Sequence, residues 1–326
     1  MAATVSDYIE QLEDQSASTR AAAARALCEL GQGAAMAVPA LSERVGDSNM
    51  LARLWAINAL AAIGAAAAPA AARLAAALDE RALFANAAMA LADIGKPAAD
   101  GALAALRRFL PDPGDDMSRA ALANALWAVG GAENEAYELA SRVLAGDEML
   151  AKVRAVRALE QIACARNTRA DRCVAALCEA LEDHSGEVRR AAARALGNVG
   201  PSASSAVEPL RAALGHEADD MLRLYAALAL WRIDLDLEAA PVLIEMVKAE
   251  GELVSSYDDD GVQRLVKGPR PPDFRALAAD GLATMGEAAA DALPTLEAER
   301  DAIDGSAEQA PLAAALDRAI AAIARR

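Results

Sequence analysis

One short phrase returns along nearly the whole chain, and its spacing restricts the fold more than any other feature. Its cleanest copy is Arg189 to Gly200, RRAAARALGNVG; other copies run Arg20 to Gly31, Arg53 to Gly64 and Arg119 to Gly130. Each leads from an arginine through Ala-Leu seven residues on to a glycine eleven residues on. Alignment on the Ala-Leu pair puts Leu27, Leu60, Leu91, Leu126, Leu159, Leu196, Leu230 and Leu282 in register, at intervals of 33, 31, 35, 33, 37, 34 and 52 residues. Eight repeats are therefore expected, the last delayed by an insertion. The arginine position holds Phe84 and Lys152 in two copies, and the glycine position Ala163 and Asp234 in two. A helical period of this size implies a stacked array, because no single unit buries its own apolar face.

Within one repeat the pattern is a helical hairpin. Ser185 is the expected N-cap, and Glu187 complements the dipole of the first turn. Val188, Ala192, Ala195, Leu196 and Val199 then form one apolar stripe at three- and four-residue steps. Gly200 is expected to end that helix in the left-handed backbone region. Ala206, Val207, Leu210 and Leu214 form the stripe of a second helix, with Pro209 in its first turn; Pro39, Pro241 and Pro294 fall at similar places. An acidic residue recurs six positions before the arginine, as Asp14, Asp47, Asp183 and Glu217. That pairing predicts a ladder of carboxylate–arginine contacts between neighbouring repeats, setting register more than stability. Trp55, Trp127 and Trp231 sit beside the Ala-Leu stripe and are expected to pack between repeats.

The pattern of Asp, then Val-Arg-Arg-Ala-Ala-Ala-Arg-Ala-Leu-Gly, then a proline-containing second helix resembles HEAT repeats. It is closest to the bacterial HEAT-like class noted in phycobilin lyases. The resemblance covers about residues 14–300 and implies an all-α, right-handed, armadillo-like α-solenoid whose second helices line a concave side. Protein–protein interaction is the function it implies. The expected organisation is one domain over 1–326: an N-terminal cap helix in 1–15, repeats one to seven in 16–249, an insertion in 250–272, repeat eight in 273–301 and a C-terminal cap helix in 306–326.

Charge narrows the partner. Net −16 works against non-specific binding of nucleic acid or anionic membrane surfaces and favours a basic or mixed-charge protein. One local basic strip stands out, comprising Lys152, Arg154, Arg157, Arg166, Arg169 and Arg172 against only Glu160 and Asp171. It reads as solvated helix and turn charge or as a site for an acidic partner. MAATVSDYIEQLED lacks the pattern of a signal peptide, and Pro69 and Arg73 interrupt the longest alanine-rich run, so no membrane span is expected. Cys28, Cys164, Cys173 and Cys178 lie within helical pattern, pointing to reduced thiols and a cytoplasmic location.

Two groups of residues are candidates for partner contact. The first comprises second-helix polar residues: Arg44, Arg73, Arg107, Arg108, Arg142, Glu179, Glu182, Arg211, Glu245 and Lys248. The second is the insertion, where helical pattern stops between Val247 and Phe274. Its β-prone runs Leu253–Tyr257 and Val262–Val266 flank Asp258-Asp259-Asp260-Gly261, predicting a β-hairpin or ordered loop. Tyr257, Asp258, Asp259, Asp260 and Arg264 are its candidate contacts, and Pro269, Pro271 and Pro272 stiffen the return. The aspartates lack the alternating spacing of a calcium loop.

Catalysis finds little material. The chain holds only His184 and His216, with no nucleophile elbow, phosphate-cradling glycine loop or zinc-protease helix. Cys173, Cys178 and His184 have irregular spacing and lack a fourth metal ligand. Against HEAT-like enzymes, His216-Glu217 is a single pair where deoxyhypusine hydroxylase needs several, and the basic aromatic groove of HEAT-like DNA glycosylases is missing. No cofactor is expected. The reading is a non-catalytic scaffold or adaptor, with a phycobilin-lyase-like accessory role in chromophore or cofactor handling as the alternative.

Overall fold

First helices begin where the sequence supplies a short polar cap. In a computed structural model, Ser16, Asn49, Asp115 and Asp219 each accept the backbone N–H three residues on, at 3.4, 3.0, 2.8 and 3.0 Å. Such caps satisfy donors that have no partner inside the helix. Ser185 holds the cap position of its helix, but its hydroxyl makes no cap bond; instead its N–H donates to Asp183 Oδ1 at 2.8 Å. The structure describes residues 4–165, 170–215, 219–248, 254–257, 263–266, 270–303, 305–307 and 309–324. Among these the fold is an all-α solenoid array of helical hairpins, with one short β-hairpin.

The chain divides into two compact units, 1–162 and 163–326. In unit one, α1 (Val5–Gln11) precedes the hairpins α2 (Ala17–Leu30) with α3 (Val38–Arg44), α4 (Met50–Ile63) with α5 (Ala71–Ala77), α6 (Phe84–Ile94) with α7 (Ala99–Arg107), and α8 (Asp116–Gly130) with α9 (Glu133–Leu144). The first helices stack in order, α2 on α4, α4 on α6 and α6 on α8. α10 (Met149–Cys164) follows and ends just past the boundary. Unit two continues with α11 (Ala170–Ala180), α12 (Gly186–Val199), α13 (Val207–Leu214), α14 (Asp220–Asp234) and α15 (Ala239–Val247). After β1 (Val254–Tyr257) and β2 (Gln263–Val266) come α16 (Pro272–Met285), α17 (Leu293–Asp301) and α18 (Ala310–Ile323). α18 packs on α16 as α14 packs on α12, burying Leu312, Leu316, Ala319 and Ile323.

All eight Ala-Leu leucines are fully buried, as is the stripe residue Val188. Each such leucine contributes about 1.5–3 kcal/mol by leaving water. Alanines beside them let helix axes approach closely. Gly197 goes further, since a Cβ there would lie 3.1 Å from the Cα and Cβ of Ala229 on α14. The three tryptophans are half-buried, and Trp231 packs against the core of unit two.

Helix ends depart from expectation in one respect. Gly200 has φ 68° and ψ −143°, and Gly31, Gly64, Gly95 and Gly286 are alike. This is not the left-handed helical region but a positive-φ extended one, which is essentially restricted to glycine. It redirects the chain into a short 3-10 segment before the second helix in most repeats. Gly130 stays inside α8, and Gly131 takes the left-handed turn instead. Where Asp234 replaces the glycine, α14 runs to its end and Leu235 turns the chain at φ 54°.

Residues 50–77 are apolar and long enough to cross a bilayer by length and composition. They form two helices, α4 and α5, parted at Gly64, with Ile57, Leu60, Ile63 and Leu74 buried in the repeat core. The expected hairpin is present: β1 pairs antiparallel with β2, Val254 opposite Val266 and Tyr257 opposite Gln263. Its Asp258-Asp259-Asp260-Gly261 turn lies outside the described residues, as do His216 and Glu217.

Candidate functional site

The repeat arginine works on two sides. One edge of each guanidinium donates to backbone carbonyls behind it: Arg20 to Asp14 O at 2.9 Å, Arg53 to Val45 O at 3.3 Å, Arg189 to Asp183 O at 2.8 Å, Arg223 to Leu214 O at 3.1 Å and Arg275 to Val247 O at 2.8 Å. The other edge of four of these meets a carboxylate ahead: Arg20 with Asp47 through two 2.7 Å bonds, Arg53 with Glu80, Arg223 with Glu245 at 2.8 Å and Arg275 with Glu299 at 2.6 Å. In α12 the neighbouring Arg190 takes that role with Asp219, at 2.9 Å. Arg119 departs from the pattern and pairs with Asp116 of its own helix. The expected ladder between neighbouring repeats is met in part: Arg20–Asp47 joins one repeat to the next through a recurring acid, while Asp14 and Asp183 offer backbone carbonyls. Arg223–Glu245 and Arg275–Glu299 each close a single hairpin through acids outside the recurring set.

Electrostatics follow the geometry. The Arg20 hydrogen bond holds the Asp47 carboxyl below its ordinary range, and Arg223 does the same for Glu245. Burial lowers Arg275, outweighing its attraction to Glu299. Asp47 also caps the turn before α4 by accepting the Asn49 N–H at 2.9 Å.

Of the second-helix candidates, five are held in ion pairs. Arg44 meets Asp47 at 3.5 Å, Arg107 meets Glu135 at 3.0 Å, and Arg108 meets Asp79 at 3.4 Å while lying over the Phe109 ring. Arg211 meets Asp236 at 2.8 Å, and Glu245 carries the Arg223 rung. Arg73 and Arg142 in unit one, and Glu179, Glu182 and Lys248 in unit two, are exposed. Tyr257 and Arg264 are placed in β1 and β2 by their backbones; Asp258, Asp259 and Asp260 lie outside the described residues. The basic strip does not form one exposed face, because Lys152 is buried and Arg157 pairs with Asp93 at 3.2 Å. Arg166 and Arg169 lie outside the described residues.

The insertion has a fixed base that its sequence did not announce. Arg270 is buried and donates to Asp220 Oδ2 at 3.0 Å, to Glu245 O at 2.8 Å and to Lys248 O at 3.4 Å. It therefore ties both feet of the insertion to the start of α14 and the end of α15. The only signal was an arginine between prolines in GPRPPD.

Two grooves open in unit two. One, of about 420 Å³, lies beside Glu182, His184, Arg189 and Pro209, at the ends of α11 and α13. The other, of about 290 Å³, crosses α12, α14 and α16 on the first-helix side. Among the described residues no group of three or more His, Cys, Asp or Glu side chains is arranged to hold a metal ion. None of the four cysteines is in a disulfide.

The model of the family described as HEAT repeats matches residues 5–84, 138–231 and 174–256, more than half of the chain. The chain belongs to the HEAT-repeat family. Among solved structures, importin beta is similar with TM-score 0.61 and 13% identity over 97% of this chain and 46% of that one. The complex of CpcE and CpcF of phycocyanin lyase from Nostoc sp. PCC7120 is similar with TM-score 0.52 and 23% identity, over 74% of this chain and 93% of that one. Kap121p gives TM-score 0.50 and 11% identity, over 98% of this chain and 41% of that one. No curated protein sequence matches this HEAT-repeat chain significantly.

Proposed function

We propose that this HEAT-repeat protein is a non-catalytic scaffold that binds a basic or mixed-charge protein partner along its second helices. The observation that carries the reading is a division of labour among its charges. The repeat arginines are spent on structural bonds within and between hairpins, while Arg73, Arg142, Glu179, Glu182 and Lys248 remain exposed on second helices or at their ends. A stacked array of rigid hairpins offers more surface than the ~800 Å² per partner of a standard interface. Arg270 ties the end of the insertion to Glu245 O and Lys248 O, and the insertion would add contacts to those of the second helices. Four thiols held in helices fit action in the cytoplasm.

Affinity capture with the intact chain tests this, set against R73E/R142E, E179K/E182K and a chain in which residues 250–269 are replaced by a short glycine linker. The expected result is a specific prey, identified by mass spectrometry, that is lost with at least one of the three changes. Prey recovery unchanged by all three, together with bilin transfer to an apoprotein by the wild-type chain, would replace the scaffold with the lyase-like role.

A further inference from the structure

Two arginines break the pairing habit of unit two. Arg190, Arg211, Arg223, Arg270, Arg275 and Arg318 each hold a carboxylate within 2.9 Å. Arg194 of α12 and Arg232 of α14 hold none among the described residues; Arg232 donates only to Asn198 Oδ1, at 3.2 Å. Both are exposed, and both line the groove of about 290 Å³ across the first helices. Its floor is close to backbone, because Gly197 lets α12 settle against Ala229. Its walls are Tyr225, Leu228 and Leu277.

In a chain of net charge −16, two guanidiniums without a carboxylate among the described residues, beside an apolar trough, form a local, complementary site for a carboxylate on an apolar segment. Guanidinium forks match carboxylates in geometry as well as charge. The trough crosses three consecutive first helices. At axis spacings of about 9–10 Å this is a path of about 20 Å, the length of about six extended residues. A nucleic-acid strand fits less well, since its affinity comes from many phosphate contacts and the surrounding charge is negative.

We propose that this first-helix groove docks an extended acidic peptide segment of a partner protein. A carboxylate sits between Arg194 and Arg232, and a neighbouring aliphatic or aromatic side chain lies against Tyr225, Leu228 and Leu277. The inference rests on the scaffold reading but assigns a different face and a partner segment of opposite charge.

The test pans a displayed hexapeptide library on the full chain and titrates the selected peptides by fluorescence anisotropy. The titrations compare wild type, R194E/R232E, the milder R194Q/R232Q and the surface control R25E, at an exposed residue outside both proposed binding surfaces, each checked for an unchanged thermal melt. Expected are sequences pairing Asp or Glu with Leu or Phe. Their Kd should rise about ten-fold or more in R194E/R232E, rise less in R194Q/R232Q, and stay unchanged in R25E. Acidic peptides that bind R194E/R232E as tightly as wild type would overturn the proposal, as would failure to select any acidic sequence. Basic peptides lost on E179K/E182K would sink this groove while sustaining the second-helix scaffold. A single-stranded oligonucleotide bound by wild type and released by R194E/R232E would reassign the groove to nucleic acid and overturn the peptide.

Discussion

Arg270 and Asp220 stand fifty residues apart in sequence and meet through Nε at 3.0 Å and Nη2 at 2.9 Å from one carboxylate oxygen, both side chains buried. The pair ties the end of the insertion, just before α16, to the start of α14 in repeat seven. A buried ion pair adds little over a well-packed apolar pair, but removing one partner strands the other charge. Arg270→Met is therefore expected to cost about 3–5 kcal/mol in the unfolding of unit two, and R270M/D220L much less. Urea denaturation followed by circular dichroism measures both. Equal losses in the single and double variants would mean that the charge pair is not what the fold depends on.

Backbone conformation gives a second expectation, with opposite signs at two helix ends. Gly200 lies at φ 68°, ψ −143° with nothing near its missing side chain, so Gly200→Ala should lose about 1–3 kcal/mol from torsional strain alone. Leu235 is exposed at φ 54° in the left-handed region. Leu235→Gly should gain about 0.5–1 kcal/mol, as strain relief of about 1–2 kcal/mol exceeds the entropy cost of glycine. Thermal melts of the two variants should shift in opposite directions.

Acid should loosen the rungs. Asp47 and Glu245 are lowered by hydrogen bonds from Arg20 and Arg223, and Asp115 by its bond with Ser118. A carboxyl whose folded pKa is depressed adds stability that is complete above its unfolded value of about 4 and disappears as pH falls through the folded value. The melting temperature is thus expected to hold from pH 7 to about pH 5 and to drop steeply below about pH 4. Asp47→Asn should lower the melt at pH 7 and make the acid limb shallower; an unchanged acid limb would count against the Arg20 rung as its source.

Thiol chemistry separates three of the four cysteines. Cys164 is exposed at the end of α10, Cys173 is buried, and burial pushes Cys178 up to about 11. A thiol-specific reagent at pH 8 should modify Cys164 first, with Cys173 and Cys178 reacting only as the chain unfolds. Mass mapping of the labelled peptides over time checks the order.

Much of this architecture is legible in the sequence. The eight leucines from Leu27 to Leu282 are buried because seven- and eleven-residue offsets place arginine, leucine and glycine at fixed angles around a helix. The hairpin near residue 254 was readable from β-prone runs flanking a turn sequence. The candidate contacts were less legible, because a side chain's charge does not say whom it faces. Arg107, Arg108 and Arg211 carry the same letter as Arg73, yet they are held by Glu135, Asp79 and Asp236 on neighbouring hairpins. Lys152 sits in a basic run and is buried because it occupies a repeat arginine position.

Local periodicity alone determined that the chain forms serial helical hairpins, since amphipathic spacing, caps and glycine stops act within a dozen residues. Only the tertiary structure decided which charges are free. Pairing depends on how the next hairpin seats, and this is set by side-chain volumes such as the absent Cβ of Gly197. It also decided that Arg270 closes the insertion and that Arg194 and Arg232 stand without a carboxylate among the described residues, because those outcomes join residues from 34 to 50 positions apart through space.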